Sequence, residues 1–257
     1  MPYKIVIPAR YGSSRLPGKP LLDLCGKPMV QHVWERAQET GISTSNIWVA
    51  TDDQRIVEAV EQFGGKAILT SHAHVSGTDR LAEVAHKLEW KNSDIVVNVQ
   101  GDEPLLPAEY IQAAAERLHL DLEAGIATLC CPINDAEDIF NPNCVKVVQN
   151  TAQHALYFSR APIPWDRNSF SNVSPQLQGN HWLRHLGLYA YRVETLRQLA
   201  ELPAANIEML ESLEQLRALH HGIKISMVHI SKAPAHGVDT QADADRVKEI
   251  LSKQHSL

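Results

Sequence analysis

Three cations, two glycines and two serines crowd into one stretch near the start of the chain: Ala9-Arg10-Tyr11-Gly12-Ser13-Ser14-Arg15-Leu16-Pro17-Gly18-Lys19-Pro20. It follows KIVIP, a short apolar run that reads as a buried strand. Glycines let backbone N–H groups approach an oxyanion closely, and Arg10, Arg15 and Lys19 would neutralise it. That combination suits a triphosphate. It is not a Walker A loop, which needs four residues between its glycines and Ser or Thr after the lysine. Here five residues separate Gly12 from Gly18, and Pro20 follows Lys19. The dinucleotide fingerprint GxGxxG is absent as well.

A second loop, Gln100-Gly101-Asp102-Glu103-Pro104, follows another apolar run at residues 95–99. A carboxylate at the C-terminal end of a strand, opposite a cationic phosphate loop, suits a magnesium ligand. Magnesium takes a few carboxylates and fills its shell with phosphate oxygens and water. A third acidic position is Asp239 in Gly237-Val238-Asp239-Thr240. Taken alone, Asp239 reads as a helix N-cap.

These loops must be held by elements whose rhythm the sequence also carries. Strand-like runs at 4–8, 47–50 and 95–99 alternate with helical spacing at 29–40, after Asp52 and Asp53, and at 108–118. Alternation of this kind predicts an α/β fold, a mostly parallel sheet with helices on both faces. Ligands in such sheets bind outside the carboxyl ends of the strands, where the two loops lie. Beyond about residue 125 the rhythm turns β-rich, with strands expected at 126–133, 144–149, 154–159 and 186–191. Residues 167–180 read as a polar loop. Helix is expected again at 207–219, strand at 224–230 and helix at 240–252. The expected organisation is one domain: a nucleotide-binding part over 1–125, a smaller β-rich part over about 126–235, and a C-terminal helix over 236–257 that returns to the core.

Composition narrows the function. The 257 residues carry a net charge of -6, so no basic field draws in nucleic acid. No apolar run approaches the roughly 20 residues of a membrane helix, and the N-terminal run is too short for a signal peptide. A cytoplasmic protein is expected. The four cysteines, Cys25, Cys130, Cys131 and Cys144, form no CxxC pair and read as reduced core thiols. His72-x-His74 and His220-His221 lack further ligands at metal-site spacing and read as surface or hydrogen-bonded histidines.

From Pro8-Ala9-Arg10 to Gly18-Lys19-Pro20-Leu21 the chain resembles the cytidylyltransferases that activate acidic sugars, and more narrowly those acting on 3-deoxy-manno-octulosonate (KDO). Supporting stretches are Ser76-Gly77-Thr78-Asp79-Arg80, residues 98–104, Phe140-Asn141-Pro142-Asn143, Tyr157-Phe158-Ser159-Arg160-Ala161, Arg184-His185-Leu186-Gly187, Glu214-Gln215-Leu216-Arg217 and residues 237–240. The resemblance implies a Rossmann-like nucleotidyltransferase fold whose β-rich region serves sugar binding and dimerisation. It implies CMP transfer from CTP to KDO for lipopolysaccharide synthesis, a Mg2+ requirement and a homodimer. By the same resemblance, Lys19, Arg10, Asp102 and Asp239 carry catalysis, with Asp102 and Asp239 on magnesium. Ala9, Arg10, Gly12, Ser13, Ser14, Arg15, Lys19, Ser76, Gly77, Thr78 and Arg80 bind CTP. Gln100, Arg160, His185, Tyr189, Glu211 and Gln215 shape the KDO site. Two other readings share the phosphate loop: a relative acting on another acid sugar, such as a sialic acid, and a nucleotide sensor without turnover.

Overall fold

The computed structural model describes residues 2–12, 16–74, 76–170, 181–235 and 237–254. The chain opens with β1 (Lys4–Ala9), the short hairpin β2 (Asp23–Leu24) and β3 (Lys27–Pro28), and α1 (Met29–Gln38). It continues through β4 (Ile47–Thr51), α2 (Gln54–Gln62), β5 (Lys66–Leu69), α3 (Gly77–Lys87), β6 (Ile95–Asn98) and α4 (Ala108–Leu120). Next come β7 (Ile126–Pro132), α5 (Ala136–Phe140), β8 (Lys146–Gln149), β9 (Ala155–Ser159) and β10 (Leu183–Arg192). The last elements are α6 (Val193–Glu201), α7 (Asn206–Glu211), α8 (Gln215–His220), β11 (Ile225–His229) and α9 (Gln241–Gln254).

The main sheet runs β11-β7-β10-β6-β1-β4-β5, and β8 and β9 extend it from the start of β10. β1 pairs in parallel with β4 and β6, β4 with β5, and β7 with β11. β10 is antiparallel to both β6 and β7. The mostly parallel sheet expected from the alternation is present. Its apolar side chains split by strand periodicity between two cores. Ile5, Ile7, Val97 and Leu129 face α1 and α4, while Val6, Val96, Ile126 and Tyr191 face α3, α6 and α8. A third cluster packs Val247 and Leu251 of α9 on Leu24 and Met29. It includes Val238, so the helix at the end of the chain fixes the 237–239 loop against the N-terminal elements.

The structure departs from the periodicity in several places. α3, which begins on Gly77-Thr78, lies outside the helices expected from the spacing. Ser76 caps it, its Oγ accepting from the Asp79 N–H at 3.1 Å. β5, half-exposed and opening on a lysine, and α6 were missed as well. The single helix expected at 207–219 is two, broken at Ser212, which takes a left-handed φ of 49°. The Arg217 guanidinium ties the two together, donating to both Glu208 carboxylate oxygens at 2.9 and 2.6 Å. Cys25 is exposed, unlike the other three cysteines and against the expectation of a core thiol. Most of the 167–180 loop lies outside the described residues.

Glu83 on α3 makes the fold sensitive to acid. It accepts from the Ser71 N–H at 2.8 Å, pairs with Lys87 at 2.7 Å and contacts His74. Burial pushes its carboxyl up, but these donors outweigh it and hold the pKa at about 2, down from 4.5. A depressed carboxyl stabilises the fold fully above its unfolded value and loses that contribution as pH falls from about 4.5 to 2. Glu83→Gln should therefore lower unfolding free energy at pH 7 by about 1–3 kcal/mol. The gap to the parent should close near pH 2. Urea unfolding across pH checks this, and a gap independent of pH would refute it.

Candidate active site

A cleft of about 340 Å³ opens at the C-terminal ends of β1 and β6. It is lined by Pro8, Ala9, Arg10, Gly12, Lys19, Pro20, Gly77, Arg80, Gln100, Gly101, Asp102 and Asp239. Two glycines allow its walls to meet. A Cβ on Gly101 would lie 2.5 Å from the Pro8 carbonyl oxygen, so only glycine lets the acidic loop pass the end of β1. A Cβ on Gly237 would come within 3.0 Å of the Asp102 carbonyl oxygen. That same oxygen accepts from the Val238 N–H at 2.8 Å, stitching the two acidic loops together.

On the cleft wall, the Lys19 ammonium donates to Asp102 Oδ2 at 2.7 Å, Asp239 Oδ1 at 3.2 Å and the Val238 carbonyl at 2.9 Å. The two carboxylates that the sequence offers as metal ligands therefore converge on one cation. The N-cap reading of Asp239 does not hold. Thr240 takes that role, its Oγ1 accepting from the Asp243 N–H while the Asp243 carboxylate accepts from the Thr240 N–H. Glu103, next to Asp102, has its carboxyl pushed up to about 7 by burial and by its neighbour's charge.

Arg80 is buried to 1 % exposure and reaches the cleft from α3. One guanidinium nitrogen donates to Asp52 Oδ2 at 3.1 Å and another to Thr70. By residue type Asp52 and Asp53 can both cap α2; Asp53 does so, accepting from the Arg55 N–H at 2.9 Å, and Asp52 holds Arg80 instead. The Arg55 guanidinium stacks 3.4 Å from the centre of the Tyr11 ring, and Gly18 N–H donates to the Tyr11 carbonyl at 3.1 Å. These contacts pin both ends of the phosphate loop. Ser13, Ser14 and Arg15 lie outside the described residues.

A second cleft of about 210 Å³ adjoins the first and shares Gly77 and Gln100 with it. Thr78, Asn98, Tyr189, Tyr191, Glu214 and Gln215 supply its polar lining. Burial pushes the Glu214 carboxyl above its ordinary value, despite hydrogen bonds with Thr78 and Ser76. The Tyr189 and Tyr191 phenols are pushed up by burial and stay neutral donors. Asn98, Tyr191 and Glu214 were not singled out from the sequence as site residues. Glu214 could have been, since it opens the Glu214-Gln215-Leu216-Arg217 stretch.

Three residues expected at the sugar site do not line these two clefts. His185 packs its ring on Phe158 and Tyr189, with centroids at 4.8 and 5.5 Å, and contacts Thr128 Oγ1 at 3.0 Å. Burial pushes its pKa down to about 3, so the imidazole is neutral and braces Tyr189 from behind. Arg160 and Glu211 meet each other and line neither cleft. The Glu211 carboxylate accepts from the Ser159 hydroxyl at 2.6 Å and the Arg160 N–H at 2.9 Å. The Arg160 guanidinium donates to the carbonyls of Glu211, Pro142 and Ser212 at 2.6, 2.9 and 3.3 Å. Its fork thus secures the break between α7 and α8 that delivers Glu214 and Gln215 to the cleft. The three bonds leave from three different nitrogens of the guanidinium, a spread that the single nitrogen of an ammonium does not have. Arg160→Lys should cost about 1–3 kcal/mol of stability even though the charge is kept. Denaturant melts test this, and an unchanged midpoint would remove Arg160 from the clamp.

The family model described as cytidylyltransferase matches residues 4–225. Among curated relatives, the 3-deoxy-manno-octulosonate cytidylyltransferase of Hahella chejuensis is 55% identical over 98% of this chain and 98% of its own. That of Idiomarina loihiensis is 53% identical over 97% and 98%. Among solved structures, a CMP:2-keto-3-deoxy-manno-octonic acid synthetase complexed with CTP superposes with a TM-score of 0.87. It is 47% identical and covers 98% of this chain and 99% of its own. A cytidylyltransferase from Leptospira borgpetersenii, 16% identical with a TM-score of 0.59, shares the fold. Nearly full-length identity above one half, on a chain whose adjoining clefts are lined by most of the expected residues, makes this protein a member of the 3-deoxy-manno-octulosonate cytidylyltransferase family.

Proposed function

We propose that the protein transfers CMP from CTP to KDO and releases diphosphate. The observation that carries this is the convergence of Lys19, Asp102 and Asp239 in one cleft that opens into a second, polar one. The first cleft suits the triphosphate and the second the sugar acid. The anomeric hydroxyl of the sugar attacks the α-phosphorus, the bond to the β-phosphate oxygen breaks, and diphosphate leaves in line. Such a transfer depends on positioning and charge neutralisation more than on covalent help.

The residues present fit magnesium. Two carboxylates from distant loops approach the same point, already occupied by a cationic group, and leave other coordination positions for phosphate oxygens and water. Asp102 and Asp239 would hold the ion; it would polarise the α-phosphoryl oxygen and acidify the attacking hydroxyl. Lys19 and Arg10 neutralise the departing diphosphate, where negative charge grows. Arg80, locked by Asp52 and Thr70, and the first turn of α3 border the nucleoside. Gln100 stands between the two substrates. Tyr189, Glu214 and Gln215 orient the sugar. Among the described residues no helix is long and apolar enough to cross a membrane. The proposal includes a cytoplasmic homodimer, as the family resemblance implies.

The test is diphosphate release by purified protein given CTP, Mg2+ and each of a panel of acid sugars. Release with KDO and not with sialic acid is expected. Release only with another sugar would reassign the substrate, and none at all would favour a nucleotide sensor.

A further inference from the structure

Asn98, the last residue of β6, carries a buried amide whose acceptor is open. The residue is 3 % exposed, and its Oδ1 has no hydrogen-bond partner among the described residues. Buried amide oxygens are nearly always paired, so one left open beside a cavity points to a ligand. Asn98 lines the second cleft and stands opposite Tyr189 in the β6–β10 register. Gly77 is close as well: an added Cβ there would come within 3.6 Å of Asn98 Nδ2. Gly77 belongs to both clefts. The amide is therefore placed where nucleotide and sugar meet.

Asn98 Nδ2 makes no hydrogen bond among the described residues either, so the amide offers an acceptor and a donor together, and this restricts what satisfies both. Ionised phosphate oxygens only accept hydrogen bonds, so the triphosphate could satisfy the amide nitrogen but not its oxygen. A sugar hydroxyl can donate. We propose that Asn98 is a specificity-determining residue that accepts a hydrogen bond from one hydroxyl of the sugar acid. The inference rests on the second cleft being the sugar site. A site built to bond a hydroxyl discriminates strongly against an analogue lacking it, because the buried group is then left unpaired.

Asn98→Leu keeps the size of the side chain and removes the acceptor. Its kcat/KM for KDO should fall about 10–100-fold, with the KM for CTP within about twofold of the parent. KDO analogues deoxygenated at one position each then identify the partner. The parent should penalise one of them strongly, and Asn98→Leu should no longer distinguish it from KDO. If Asn98→Leu does not fold, Asn98→Thr, too short to reach the same hydroxyl, is read with the same analogues. Identical analogue profiles in parent and variant would overturn the proposal. So would a loss confined to CTP, which would give the amide to the cytosine amine. Gln215→Ala is measured in parallel. If it raises the KM for KDO while Asn98→Leu does not, only Asn98 is misassigned. If neither does, the second cleft is not the sugar site.

Discussion

Asp102→Asn should lower turnover by roughly 10³-fold, the several kcal/mol that a bound divalent ion supplies to a charged transition state. The substitution keeps size and hydrogen bonding but removes the charge. The Lys19 ammonium keeps its contact with Asp239, so the fold should survive. The magnesium concentration giving half-maximal activity should rise together with the fall in kcat. Asp239→Asn should act in the same direction, because Thr240 and not Asp239 caps α9. Steady-state rates over a magnesium titration test the pair. Activity within threefold of the parent in Asp102→Asn would remove it from the metal site.

Lys19→Ala carries the second large effect, and it has two readouts. The lost contact to the leaving diphosphate strengthens as the transition state forms, so kcat should drop about 10²–10³-fold, with weaker CTP binding. The second readout comes from the ligand-free protein. The Lys19 ammonium lies within 3.2 Å of both Asp102 and Asp239. Without it the cationic contact that the two carboxylates share is lost. Thermal stability of Lys19→Ala should then depend on magnesium more steeply than that of the parent, since the ion replaces the missing charge. Unchanged kinetics together with an unchanged magnesium response would place Lys19 outside the site.

Much of this site could be read from residue types. The phosphate loop and the acidic loop both follow apolar runs, and a parallel sheet puts both strand ends on one side. What could not be read was how side chains share partners. Arg160 and Glu211 sit in stretches that suggest sugar contact, yet each satisfies the other's surroundings, through carbonyls contributed by segments far apart in the chain. Lys146 is another case. In a strand-like run a lysine reads as solvated, but it is fully buried. Its ammonium is satisfied by the carbonyls of Asn141, Cys144 and Arg160 at 2.9, 2.6 and 2.6 Å. The left-handed Ser212 that divides 207–219 and presents Glu214 to the cleft likewise has no local signature. These features are set by tertiary contacts that periodicity does not encode.

The place of β10 also shapes how the chain is made. β6, the apolar segment IVVN with every residue buried, has β1 on one side and β10 on the other. On the ribosome β1 is already available when β6 emerges, but β10 follows roughly 85 residues later. At synthesis rates of about 5–20 residues per second that delay is about 4–17 s. Throughout it the nascent sheet displays an unpaired, mostly apolar edge of the kind that recruits other chains. Growth conditions that slow elongation prolong this exposure, so the yield of soluble protein should depend on translation speed and on chaperones that shield strand edges.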